Sequence, residues 1–101
     1  MGLELRHLRT FQAVARHLNF TAAAVELRVA QPAVSQTIRD LEGEMEVMLL
    51  QRTKRSVRLT AAGGVFLREV EDVLNRVEEA VRASQRAEKW VKWCWDSLDR
   101  R

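Results

Sequence analysis

Residues 20–41 read FTAAAVELRVAQPAVSQTIRDL, the pattern of two short helices joined by a tight turn. Thr21 is placed to cap the first helix, which is expected to run to about Arg28 with Phe20 packed beneath it. Ala22, Ala23 and Ala24 are small enough to let neighbouring helices approach closely, and Val25 and Leu27 are expected to supply its buried contacts. Pro32 falls inside the first turn of the second helix, where its missing N–H costs little. That helix is expected to reach about Glu44. Val34, Ile38, Leu41 and Met45 fall on one side of it at helical spacing and form its buried stripe. The adjoining side carries Gln31, Pro32, Ser35, Gln36 and Arg39, which have no apolar reason to be buried.

Upstream, Leu5, Leu8, Phe11, Ala15 and Leu18 recur at steps of three and four, with Val14 widening the stripe. This predicts an amphipathic helix with Arg6, Arg9 and Arg16 on its wet side. His7 and His17 lack a Cys or second His at ligand spacing, so both read as surface residues and no metal is expected. Downstream, VMLLQRTKRSVRLT over 47–60 changes period. Val47, Leu49 and Leu50 anchor its start, Ser56 to Leu59 alternate like a strand, and the basic turn Gln51–Arg55 lies between. Two short strands with a basic tip make a wing.

Thr60 is placed to cap a last, long helix. Along it Phe66, Val70, Val73, Val77, Ala80, Ser84 and Ala87 alternate steps of four and three, flanked by Leu67, Leu74 and Val81 at intervals of seven. Such a seam predicts pairing with another helix, with Glu69, Arg76, Glu79 and Arg86 outside it. Gly63 and Gly64 in the first turn suggest close packing against the first helix. Trp90, Trp93 and Trp95 crowd a tail that departs from the heptads and has no evident place in the fold. The organisation read from the pattern is therefore 1–60 as one unit, 61–89 as a linker helix and 90–101 as a tail.

With 101 residues the chain is one domain, or one domain with an appendage. Aromatics are 6% and Tyr is absent, so the core falls to Leu, Val, Ala, Ile and Met, which favours helices. The net charge of +3 is uneven. Nine Arg/Lys against six Asp/Glu in 1–60 account for all of it, and the remainder balances at eight of each. Arg52, Lys54, Arg55 and Arg58 cluster in the wing, which suits an anionic partner. The lone Cys94 excludes an intrachain disulfide and fits a reducing compartment. No apolar run is long enough for a membrane span, and the charged start has no secretory h-region. No Ser/His/Asp order, Cys/His pair or glycine-rich phosphate loop points to an enzyme, and no cofactor is expected.

Two helices across a turn, the second bearing small polar and basic side chains, suit insertion into a DNA major groove. Gln31 and Gln36 are able to pair bidentately with adenine, and Pro32 and Ala33 to touch a thymine methyl. Arg39 suits guanine or phosphate. Thr21, at a helix N-terminus, and the turn Arg52–Arg55, with Lys54, suit the DNA backbone or the minor groove.

The stretches LRHLRTFQAVA, NFTAAAVELRVAQPAVSQTIRDLE and LLQRTKRSVRLTAAG resemble the winged helix-turn-helix domain of LysR-type transcriptional regulators. The resemblance covers about the first 88 residues. It implies a mainly α fold: three helices, a short β-hairpin wing, then a long linker helix pairing antiparallel with its twin. By position it implies that Gln31, Pro32, Ala33, Ser35 and Gln36 face bases. It likewise implies that Thr21, Arg39, Arg52 and Arg55 handle phosphate or the minor groove. The seam residues Phe66, Val70, Val73, Leu74, Val77 and Val81 would then form a homodimer on double-stranded DNA in a bacterial cytoplasm.

Three departures from the family pattern are expected to lower stability without changing the fold. Ala30 replaces a capping Ser worth about 1 kcal/mol. Glu46 stands where a Gly would tolerate a left-handed backbone, and Leu50 replaces a Phe. The effector-binding domain that follows in the family has no counterpart in this sequence, so no small-molecule effector site is expected. An alternative reading is a protein-interaction module that pairs through the long helix with full-length regulators and modulates them.

Overall fold

The computed structural model describes residues 2–99, with side chains described as far as Trp90. Its elements are α1 (Leu5–His17), α2 (Phe20–Leu27), α3 (Gln31–Met45), β1 (Leu50–Arg52), β2 (Val57–Leu59) and α4 (Ala61–Asp99). The strands form an antiparallel hairpin in which Leu50 faces Leu59, Gln51 faces Arg58 and Arg52 faces Val57. The mainly α fold with a wing and a long final helix is as the sequence predicts.

The helices start and stop for identifiable reasons. At α1 the Glu4 N–H donates to Nδ1 of His7 at 3.0 Å, and His7 is only 4% exposed. The expectation that His7 lies on the surface is therefore corrected: it closes the helix start. Asn19, not Thr21, caps α2, its Oδ1 accepting the Ala22 N–H at 2.9 Å. Thr21 sits exposed in the first turn instead. At α3, Ala30 offers no side-chain cap, and Glu46 is left-handed at φ 55°. Leu18 and Arg28 end α1 and α2 in the same strained region, at φ 50° and 58°. A left-handed non-glycine residue costs roughly 1–2 kcal/mol, so tertiary packing must hold these stops.

Phe11, Val14, Ala23, Val34, Ile38, Leu41, Leu49 and Leu50 form the centre of the core, with Val70 and Leu74 entering from α4. The rings of Phe11 and Phe66 lie tilted with centroids 5.2 Å apart, joining α1 to α4. Ala23 and Ala24 are buried, as their size suggests, whereas Val25 is 74% exposed. In an eight-residue helix the turn bearing Ala23, Ala24 and Leu27 already faces inward, and Val25 lies on the far side.

The start of α4 is fastened to the base of the wing. The Thr60 hydroxyl donates to the Met48 carbonyl at 2.6 Å and accepts the Gly63 N–H at 2.9 Å. The Thr60 N–H reaches the Leu49 carbonyl at 3.0 Å. Gly63 therefore packs on the wing base rather than on α1: a β-carbon there would collide with the Leu49 carbonyl oxygen, while one at Gly64 meets nothing within 4 Å.

Beyond Leu74 α4 leaves the core, and the molecule measures 71 × 25 × 21 Å. On this free stretch Glu79 accepts hydrogen bonds from Arg86 at 2.8 Å and Arg82 at 3.4 Å, which together hold its carboxyl below the usual range. The helix does not stop at residue 89 but continues to Asp99. The side chains beyond Trp90, on which the expected break in the heptads rests, lie outside the described residues.

Urea unfolding should separate the two glycines. Gly63→Ala lowers the unfolding free energy because the Leu49 carbonyl must give way, whereas Gly64→Ala raises it by up to about 1 kcal/mol through helix propensity. Ala30→Ser and Glu46→Gly should each raise it by about 1 kcal/mol, by supplying the cap and relieving the left-handed residue.

Candidate nucleic-acid interface

The polar face of α3 is presented by the burial of its opposite side. Val34, Ile38 and Leu41 are 1%, 0% and 0% exposed, which leaves Gln31, Pro32, Ala33, Gln36 and Arg39 in solvent and Ser35 half-buried. These residues come together on one surface as their helical spacing predicts. Their polar groups are ordered in pairs. Gln31 Nε2 donates to Ser35 Oγ at 3.2 Å, and Gln36 Nε2 donates to Asp40 Oδ1 at 2.9 Å. Asp40 orients the Gln36 amide. The motif alone does not single it out, although an i,i+4 Gln–Asp pair is a readable signal.

The wing tip is a turn tied by Thr53. Its N–H reaches the Ser56 carbonyl at 2.9 Å, and its hydroxyl accepts the N–H groups of Ser56 at 3.0 Å and Arg55 at 3.3 Å. This leaves Lys54 and Arg55 exposed at the apex. Among the described residues, Arg39, Lys54 and Arg55 have no carboxylate at ion-pair distance. Their charge is open to a partner.

Arg52 differs from its neighbours. Its side chain is 31% exposed, its Nη2 lies 3.4 Å from Glu42 Oε1, and its Cζ is 4.7 Å from the centroid of the Phe20 ring. Glu42 is itself buried, and its Oε2 accepts the Leu49 N–H at 2.8 Å and the Leu50 N–H at 3.2 Å. Nothing local in the sequence marks Glu42 for this role, since a glutamate inside a helix ordinarily reads as a solvated charge.

The pairing seam on α4 is shorter than the heptads imply. Val70 and Leu74 are 1% and 7% exposed within the chain's own core, and Phe66 is packed on Phe11. These three already pack within the chain's own core. Val73 and Val81, at 43% and 52% exposed, remain outside, with Val77 half-buried.

Residues 5–64 match the model of the bacterial regulatory helix-turn-helix protein, lysR family. The chain is 53% identical over 90 residues to the Hca operon transcriptional activator HcaR of Escherichia coli (strain K12), covering 89% of this chain and 29% of that protein. It is 48% identical over 84 residues to the transcriptional regulator AlsR of Bacillus subtilis (strain 168), covering 83% and 28%. The chain thus spans less than a third of the length of these relatives. Among solved structures, the BenM_DBD/catB site 1 DNA complex is similar at a TM-score of 0.81 and 40% identity, over 83% of this chain and 93% of that one. The CbnR_DBD–DNA complex is similar at 0.81 and 38%, over 84% and 98%. With the family match spanning more than half of its residues, the chain belongs to the lysR family of bacterial regulatory helix-turn-helix proteins.

Proposed function

We propose that this chain binds double-stranded DNA in a sequence-specific manner to regulate transcription, as a dimer joined through α4. The observation that carries the proposal is the exposed face Gln31, Pro32, Ala33, Ser35 and Gln36 on a helix whose other side is buried, with free cations flanking it. A helix so held fits the major groove, where Gln31 and Gln36 read adenine edges and Pro32 and Ala33 meet thymine methyls. Each well-formed bidentate pair discriminates by about 1–3 kcal/mol. Arg39, the wing-tip Lys54 and Arg55, and Thr21 in the first turn of α2 serve the phosphates or the minor groove. That solved complexes of similar domains contain DNA supports the same reading.

Residues 1–60 act as the reader, and α4 holds two readers apart. Val73, Val77, Ala80, Val81 and Ser84 supply the face between copies, at the steps of three and four that suit helix pairing. Two copies related by a two-fold axis read half-sites separated by whole turns of the duplex.

Selection of bound duplexes from a random pool should enrich a two-fold-symmetric site, and light scattering should give the mass of a dimer. Failure to enrich any sequence would sink the reading. On the enriched site, Gln31→Ala and Gln36→Ala should change which base is preferred while affinity for unrelated duplexes stays level. Arg55→Ala should weaken binding to every duplex and flatten the log–log salt dependence by about 0.9 for each phosphate it no longer neutralises.

A further inference from the structure

We propose that Arg52 is a positioning residue which, through Glu42 and Phe20, sets the wing against the reading helix, leaving phosphate contact to its exposed neighbours. This rests on the DNA reading above. The first ground is strand geometry. Side chains alternate across a strand, so Arg52 shares a face of β1 with Leu50, which is 1% exposed. Their cross-strand partners Val57 and Leu59 are half-buried on the same side. Arg52 thus leaves the hairpin from its inner face, whereas Gln51 and Arg58 occupy the outer one.

The second ground is the chemistry of Glu42. Its side chain is only 7% exposed, and its carboxylate already engages two backbone N–H groups at the start of the wing. A buried carboxylate needs a counter-charge, and among the described residues Arg52 is the cation at ion-pair distance. Removing that guanidinium leaves an uncompensated charge beneath β1. The third ground is the ring of Phe20 at the N-terminus of α2, 4.7 Å from the guanidinium carbon. A planar guanidinium suits this place because it stacks on the ring while its edge faces the carboxylate, which a lysine cannot do. One side chain therefore ties α2, α3 and β1 together. Lys54 and Arg55 follow it by two and three residues, so its position sets theirs.

The test compares the whole chain with Arg52→Met, Arg52→Lys, Arg55→Met and Phe20→Leu, on an enriched duplex across a range of salt. Arg52→Met should lose affinity severalfold with the salt slope unchanged, and Arg52→Lys should fail to restore it. Arg55→Met should flatten the slope by about 0.9. Phe20→Leu keeps every charge, and should also lose affinity at constant slope, which covers the case in which Arg52→Met does not fold. A slope flattened by Arg52→Met and restored by Arg52→Lys would assign Arg52 to phosphate and overturn the proposal. So would unchanged affinity in both Arg52 variants. Amide hydrogen exchange at Leu49 and Leu50 gives a readout without DNA: it should accelerate in Arg52→Met and not in Arg55→Met. Equal exchange in the two variants overturns the clasp even where DNA binding itself is absent, whereas absent binding alone counts against the DNA reading.

Discussion

Three side chains at helical spacing, Val34, Ile38 and Leu41, hold α3 onto the rest of the domain, and the geometry of the reading face depends on them. Full burial of each is worth about 1.5–3 kcal/mol relative to exposure. That exceeds what α3 forgoes at its ends, where Ala30 gives no cap and Glu46 is left-handed, each a matter of about 1 kcal/mol. A helix with poor ends is thus kept in place by its middle. Its outer face can then be chosen for chemistry alone.

The wing and α4 are attached to that helix by polar groups as well as by apolar area. Glu42 gathers the N–H groups of Leu49 and Leu50, and Thr60 bridges Met48 to the first turn of α4. Gly63 leaves room for the Leu49 carbonyl between them. These groups lie within a short stretch of chain, so the place where α4 departs and the place where the wing rises are mechanically linked. The same helix then serves twice: Phe66, Val70 and Leu74 complete the core, and the residues beyond project outward.

Much of this was legible in the sequence. Periodicity together with capping and turn residues located the four helices, the turn in the basic stretch, Thr60 as a cap and the outward face of α3. What escaped it were choices between equivalent local signals. Asn19 and Thr21 are both competent caps, and only the backbone path into α2 selected Asn19. His7 reads as polar, yet its Nδ1 closes the start of α1 and takes it out of solvent. Val25 is apolar, yet a short helix has one inner face and Val25 is not on it. On the α4 seam, the packing of Phe11 and its neighbours claimed Phe66, Val70 and Leu74 and left Val73 and Val81 outside. Heptad spacing records that a position is apolar and not which neighbour covers it.

The residue types of the reading face and the basic wing follow from the sequence, because side-chain direction along a helix or strand obeys a fixed period. The family, too, was carried by linear motifs. Which cations remain free was decided by tertiary structure alone. Arg52 and Arg55 look interchangeable in QRTKR, but folding brings a buried carboxylate and an aromatic ring to the first and solvent to the second. Glu42 lies ten residues from Arg52 and Phe20 lies thirty-two away, and no local pattern encodes a contact between such distant positions.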